Sequence, residues 1–400
     1  MPRFQPFNGL RYRPERVRFD DVVAPPYDVI SPEEQLALEE RSPYNSVRVE
    51  LPRDQPGRNR YEVARDLLEA WQREGVLATD PAPAFYGHRM TFSDETGRTR
   101  HSLGVIGALG LATPGSGDIL PHEHTTPKAK SDRLQLLTAT ATNLSPIWGL
   151  SLASGLSAVI GSVPGSADNA TDPDGVVHEL WAITDPAAIE SISDSVASAP
   201  VVIADGHHRF ETALAYQTER REKGPERPGP SDFVMALVVE LSEEQLSVRA
   251  IHRLLTGLPA GLDLADALEA SFVVSPTDPV DATIGDRMTS AGALALVTPQ
   301  GTWLMQPRPE LVAAAAQDLD SSRLDVALAK LPPHQLIYQH GWDLADAAVA
   351  KGEAQAAVLL RPASVDKIAA TGRGGQRMPP KTTFFWPKPR TGLVFRSAGG

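Results

Sequence analysis

A mixed α/β fold built as several lobes is predicted by three features of this sequence. Short apolar strands alternate with amphipathic helices along most of the chain. No apolar run reaches the ~18 residues of a membrane-spanning helix. The length, 400 residues, is more than one hydrophobic core spans. The expected division is an N-terminal α/β lobe over 1–115, a middle module over 116–255, and, where the chain turns Ala-rich, a C-terminal α/β lobe with a basic aromatic tail over 256–400.

In the first lobe, a strand-like stretch at 22–24 runs into PPYDVISPEEQ. There Ser31, Pro32 and Glu34 take the N-cap, first-turn and capping-box positions of a helix. SVRVEL (46–51) alternates like a strand, with Glu50 facing solvent. Tyr61, Ala64, Leu67, Leu68 and Trp71 then recur at helical spacing. AFYGHRMTF (84–92) and LGVIGALGLA (103–112) flank a turn-like SDETGR and predict a hairpin.

In the second segment, LPHEHTTPKAKSDR (120–133) precedes a helix carrying Leu134, Leu137 and Ala141. HELWAIT (178–184) is a short strand, and VVIADGHHRFETALAY reads as strand, Asp-Gly turn and helix. FVMALVVEL (233–241) is a buried strand. Beyond about 256 the chain turns Ala-rich, and both ELVAAAAQDL and LADAAVAKGEAQAAVLL predict helices of a scaffolding lobe. Its tail, 372–392, is basic and aromatic, suited to stacking a base, clamping a phosphate, or packing back onto the body.

Composition narrows the chemistry. There is no cysteine, which removes disulfides, zinc-thiolate sites, iron-sulfur clusters and thiol nucleophiles. Acidic residues outnumber basic ones by 50 to 38, a formal charge of -12 that disfavours nucleic acid as a partner. The start, MPRFQPFNGLRYRPERVRF, is not a secretory signal, so a cytoplasmic location with no membrane partner is expected.

Two segments carry the candidate site. At Asp205-Gly206-His207-His208-Arg209 a strand ends and a helix begins, and backbone donors of a helix N-terminus suit a phosphate. Gly206 would let the backbone approach an oxyanion. The same string also fits a helix cap with locally bonded histidines. In the other segment, His122, Glu123 and His124 offer a general base or O and N metal ligands, and Lys128, Lys130 and Arg133 offer phosphate neutralisation. A solvated, proline-broken loop is the alternative. A metal held by His122, His124, His207 and His208 is conceivable, although neither pair has the i, i+4 spacing of the usual histidine motif. Tyr27 and Asp28 in PPYDVIS are weaker candidates for substrate contact, and a proline turn explains them equally.

At these residues a resemblance emerges. MPRFQPFNGLRY, VVAPPYDVIS, RSPYNSVRVELP, LPHEHTTPKAKSDR, TNLSPIWGL, ADGHHRFETA and MPPKTTFFWPKP resemble the bacterial and archaeal domain of unknown function 1015 family, from residue 1 to about 395. That family name carries no reaction. Residues 118 to 220 look like a ParB/sulfiredoxin-like module embedded in the larger chain, and are most similar to the free serine kinases. Those carry a His-Glu pair and an Asp-Gly-x-His-Arg loop, matched here by His122-Glu123 and by 205–209. The resemblance implies that Glu123 is the base, supported by His122 and Asp205. It implies further that Gly206, His207, His208 and Arg209 hold ATP or ADP phosphates, and that Mg²⁺ bridges them. Tyr27, Asp28 and His124 would touch the substrate. The interval between the motifs is longer than in the kinases and large segments flank them, so the acceptor pocket is open to rebuilding. Sulfiredoxin chemistry is excluded by the missing cysteine, and DNA partitioning by the charge. The expectation is therefore a nucleotide-dependent kinase making a phosphorylated small metabolite such as O-phosphoserine. A nucleotide-binding regulatory module and a metal-dependent phosphoesterase are the alternatives.

Overall fold

The computed structural model describes residues 1–94, 97–112, 115–121, 127–163, 165, 167–222, 224, 229–374, 378–379 and 381–399. It has two compact units, one of Met1–Ser247 with Pro387–Gly400 and one of Val248–Trp386.

The first unit opens with strands β1 (Phe4–Gln5) and β2 (Gly9–Tyr12), a single-turn helix α1 (Phe19–Val22) and a 3-10 turn over Tyr27–Val29. Helix α2 (Pro32–Arg41) starts where the sequence requires it: Ser31 Oγ accepts from the Glu34 amide, and the Glu34 carboxylate accepts from the Ser31 amide. After α3 (Val47–Glu50) comes α4 (Arg60–Arg73), opened by the same device at Asn59 and Glu62. The α4 face of Ala64, Leu68 and Trp71 packs into a core with Tyr12 and Phe395. Strands β3 (Leu77–Thr79), β4 (Phe85–Ser93), β5 (Thr99–Gly110) and β6 (Ile119–Pro121) follow, β4 and β5 as the expected antiparallel pair.

The chain continues through α5 (Pro127–Thr140), β7 (Thr142–Asn143), β8 (Ile147–Ser151), α6 (Leu156–Gly161), β9 (Asp168–Thr171) and β10 (Val177–Ile183). Helix α7 (Pro186–Ala197), β11 (Val201–Asp205), α8 (His207–Glu222) and β12 (Phe233–Glu240) complete this stretch. The second unit holds β13 (Ser247–Thr256), β14 (Phe272–Thr277), β15 (Leu294–Thr298), β16 (Gly301–Pro307), β17 (Gln335–His340), β18 (Ala356–Leu359) and β19 (Thr383–Trp386), with helices between them. Strand β20 (Phe395–Ser397) returns to the first unit.

Among the described residues, the first unit's main sheet has the order β6-β11-β8-β12-β5-β4-β10-β9, with β1 on β5. It is mixed: β6 with β11 and β8 with β12 are parallel, and the other pairs are antiparallel. The segments 1–115 and 116–255 thus both supply strands to this one sheet. Strand β12 lies in its middle, and all its residues but Glu240 are buried, as expected of a near-continuous apolar run. A smaller sheet, β3-β2-β20-β7, pairs the C-terminal strand β20 with β2 and β7. The second unit's sheet runs β14-β16-β15-β18-β13-β17, with β19 on β13.

Local readings fail in four places, each through tertiary context. The stretch 22–24 is the end of α1 plus an isolated bridge from Ala24 to Thr391. SVRVEL is a helical turn rather than a strand, and Glu50 is 2% exposed rather than solvent-facing. Its two valines are buried against neighbouring helices, and that packing overrides their β-propensity. ELVAAAAQDL is helical only over Pro309–Ala314. LADAAVAKGEAQAAVLL is a helix followed by a strand: Gly352, at φ +75°, ends the helix Trp342–Ala350, and the apolar AAVL is β18, buried inside its sheet.

No helix among the described residues is long and apolar enough to cross a membrane.

Candidate functional site

Strand order places the candidate chemistry. Strands β6 and β11 run parallel, with Val201 opposite Ile119 and Ile203 opposite Pro121. Strand β8 runs antiparallel to β11, with Trp148 opposite Asp205. At this end of the sheet β6 and β11 therefore finish while β8 begins, and helices α5 and α8 pack against each other beside them. The carboxyl ends of parallel strands are where open α/β sheets bind ligands. Residues 122–126 follow β6 directly, and the Asp205-Gly206 turn follows β11. The β11 register also shifts between Ile203 and Asp205, an irregularity of the kind that re-aims a side chain at a strand end.

Gly206 is required by backbone and space alike. Its φ is +88°, and a Cβ there would lie 3.1 Å from the Arg209 guanidinium and from Ile147 Cγ2. Helix α8 starts at once, with the Phe210 amide donating to the Gly206 carbonyl at 2.9 Å.

Around this turn, cations and carboxylates alternate. Lys388 Nζ, from the C-terminal tail, donates to Asp205 Oδ1 at 2.8 Å and lies 3.4 Å from Asp28 Oδ2. Arg209 donates to Asp205 Oδ2 at 2.9 Å, from the first turn of α8 back to the end of β11. It also donates to Ser145 Oγ at 3.1 Å and to the Pro146 carbonyl. Ser145 Oγ donates to Glu50 Oε1 at 3.3 Å. Arg133 donates to the Glu50 carbonyl at 2.8 Å and to Asp132 at 2.6 Å, and its guanidinium lies 4.5 Å from the centre of the Tyr27 ring.

The charges respond as this alternation dictates. Burial raises the Asp205 carboxyl, but Lys388 and Arg209 outweigh it and hold it down at about 2. Burial works against the Lys388 ammonium, and Asp205 and Asp28 nonetheless lift it above the usual lysine value. Glu50 goes the other way: burial raises its carboxyl, and Arg133 and Arg209 only partly offset this.

Of the residues singled out from the sequence, Asp205, Gly206, Arg209, Asp28, Tyr27 and Arg133 thus fall in one neighbourhood. His207 is buried and His208 half-buried on the first turn of α8. Lys128 and Lys130 sit in the first turns of α5. His122, Glu123 and His124 lie outside the described residues, and with them half of the four-histidine metal alternative. Among the described residues no group of three or more His, Asp or Glu side chains converges on a metal site. Both Asp205 oxygens are already taken by cations. The described residues therefore do not by themselves make a Mg²⁺ cage.

Three further residues belong to the neighbourhood. Lys388 was signalled by the basic character of the tail, Glu50 was hidden in a strand-like pattern, and Ser145 stood inside the TNLSPIWGL segment without being singled out. Glu50, Arg133, Ser145, Arg209 and Thr212 line a pocket of about 50 Å³. Arg133 also lines a more open cleft of about 420 Å³ with Arg53 and Arg60. A cavity of about 190 Å³ in the second unit surrounds Asp320, whose carboxylate is engaged by Arg361 and Arg323, and no singled-out residue lines it.

The fold and site define a mixed α/β protein with a polar cluster at the carboxyl end of two parallel strands. The chain belongs to the family described as Protein of unknown function (DUF1015), whose profile matches residues 4–327. No curated protein matches it. Free serine kinase in complex with AMP is among the similar solved structures, at 15% identity and a TM-score of 0.35 over 67% of this chain and 83% of that one. A conserved hypothetical protein from Pyrococcus furiosus matches at 14% identity and 0.35, over 67% and 87%. C-terminally truncated SbnI from Staphylococcus aureus matches at 13% identity and 0.39, over 73% and 88%.

Proposed function

We propose that this chain binds ATP or ADP at the 205–209 turn and transfers the terminal phosphoryl group to the hydroxyl of a small metabolite, in the manner of a free serine kinase. The observation that supports this most is the parallel register of β6 and β11. It sets the end of the strand preceding His122-Glu123 beside the end of the strand preceding Asp205-Gly206, although the two motifs are some 80 residues apart in sequence. In this reading the α8 N-terminus receives phosphate oxygens with its backbone dipoles, and His207 and His208 add donors. Arg209 and Lys388 are cations already held in place by Asp205, so they neutralise charge with little reorganisation. Lys128 and Lys130, at the start of α5, and Arg133 add positive charge.

The step itself balances simply. The acceptor oxygen bonds to the terminal phosphorus, the bond from phosphorus to the nucleotide's bridging oxygen breaks, and Glu123 takes the hydroxyl proton. Asp205 keeps Lys388 and Arg209 charged and oriented. Tyr27, Asp28 and His124 stand on the acceptor side. Mg²⁺ carried by the nucleotide would supply further neutralisation of the phosphate oxygens.

Transfer from labelled ATP and ADP to L-serine and other small alcohols tests this. Glu123→Gln should lower the rate by about 10²- to 10⁴-fold while nucleotide binding persists. Transfer at the parental rate in that variant overturns the assignment of the base. Nucleotide binding with no acceptor phosphorylated defines a regulatory module instead. Stoichiometric transition metal in the purified protein, with phosphate-ester hydrolysis, defines a phosphoesterase.

A further inference from the structure

Buried polar groups in native proteins nearly always have partners. In the pocket beside Glu50, three do not. Glu50 Oε2, Arg209 Nε and Thr212 Oγ1 are all buried with no hydrogen-bond partner among the described residues, and all three residues line the same cavity. The side chains come from α3 and from two positions three apart on α8, so they meet only in the fold. Apolar walls from Leu136, Leu144 and Val234 enclose them. At about 50 Å³ the space holds a few waters or a ligand head of a few heavy atoms.

The unmet valences specify the ligand. Glu50 Oε2 needs a donor, the Arg209 Nε–H needs an acceptor, and the Thr212 hydroxyl can serve as either. A purely anionic ligand would leave Glu50 Oε2 without a donor, and a purely cationic one would leave the Arg209 Nε–H without an acceptor. A neutral molecule with separated charges satisfies both. We infer that this pocket receives the head of a small zwitterion of the amino-acid type, its ammonium on Glu50 and its carboxylate on Arg209 and Thr212. The inference deepens the acceptor side of the proposed reaction and rests on that reading only in identifying the ligand as the phosphoryl acceptor. Burial already holds the Glu50 carboxyl above its ordinary range, and an adjacent ammonium would restore its charge.

Calorimetric titration of the full chain without nucleotide tests the pocket apart from the reaction. The probes are L-serine and L-alanine, with ethanolamine and glycolate each carrying only one of the two charges. Both amino acids should bind, with ethanolamine and glycolate at least roughly tenfold weaker. Glu50→Gln should weaken amino-acid binding roughly tenfold or more. Thr212→Val should weaken it roughly three- to tenfold without lowering the melting temperature, because the hydroxyl has no intramolecular bond to lose. No binding of any probe, equal binding of ethanolamine or glycolate, or unchanged affinity in both variants overturns the inference. L-serine binding through Glu50 without phosphate transfer sinks the kinase reading and leaves the pocket standing. Transfer that keeps its acceptor KM in both variants does the reverse.

Discussion

Replacing Lys388 with Met isolates the electrostatics of the candidate site, because one ammonium holds two carboxylates from distant parts of the sequence. Asp205 falls from 3.8 to about 2 in the folded chain, which corresponds to about 2 kcal/mol at ~1.36 kcal/mol per pH unit. Lys388 is the foremost of the favourable contributors and Arg209 remains after its removal, so the variant should lose about 1–2 kcal/mol at neutral pH. That is a fall of roughly 2 to 8 °C in melting temperature. Because the Asp205 value is depressed on folding, its contribution is fully present above its unfolded value of 3.8 and is lost as the pH falls through about 2. The gap between the two proteins should therefore be full at pH 7 and close in acid. Urea unfolding across that range, with nucleotide affinity measured in parallel at pH 7, reads both consequences. A variant as stable as the parent at pH 7, binding ATP and ADP equally well, would refute the role given to the tail lysine.

Gly206→Ala forces a side chain into a left-handed conformation and against Arg209, and should cost about 1–2 kcal/mol and weaken nucleotide binding, measured by thermal unfolding and titration. A second pH dependence comes from the buried histidine pair. His88 Nε2 and His178 Nδ1 are 3.3 Å apart on adjacent strands, and His178 Nε2 lies 3.2 Å from Asp172, which Arg390 also holds. Burial lowers both histidines below 6.5, so the unfolded chain binds more protons there and stability falls as the pH drops below about 6.5. Urea unfolding between pH 7 and 5 measures that slope. His88→Phe should flatten that slope, and an unchanged slope would show that the pair is not the titrating element.

Much of this molecule is legible residue by residue because its signals are local. The capping box at Ser31 and Glu34, the β4–β5 hairpin, and the strand, glycine turn and helix at 201–222 each depend on contacts a few residues apart. Gly206 is the clearest case, since its backbone angle and its crowded surroundings both demand the residue that stands there. The alternation in SVRVEL misleads because it is too short to outweigh packing, and AQAAVLL because an apolar run fits a buried helix or a buried strand equally until its sheet neighbours are known.

What the amino-acid order determined alone is the mixed α/β class, the family resemblance and the turn at 205–209. What only the tertiary structure decided is which distant groups meet there: Lys388 with Asp28 and Asp205, and Glu50 with Ser145 and Arg133. The reason is physical. Cap and turn geometry is set by neighbours along the chain, whereas burial of a carboxylate and the arrival of its cation depend on strand order and on where a tail folds back.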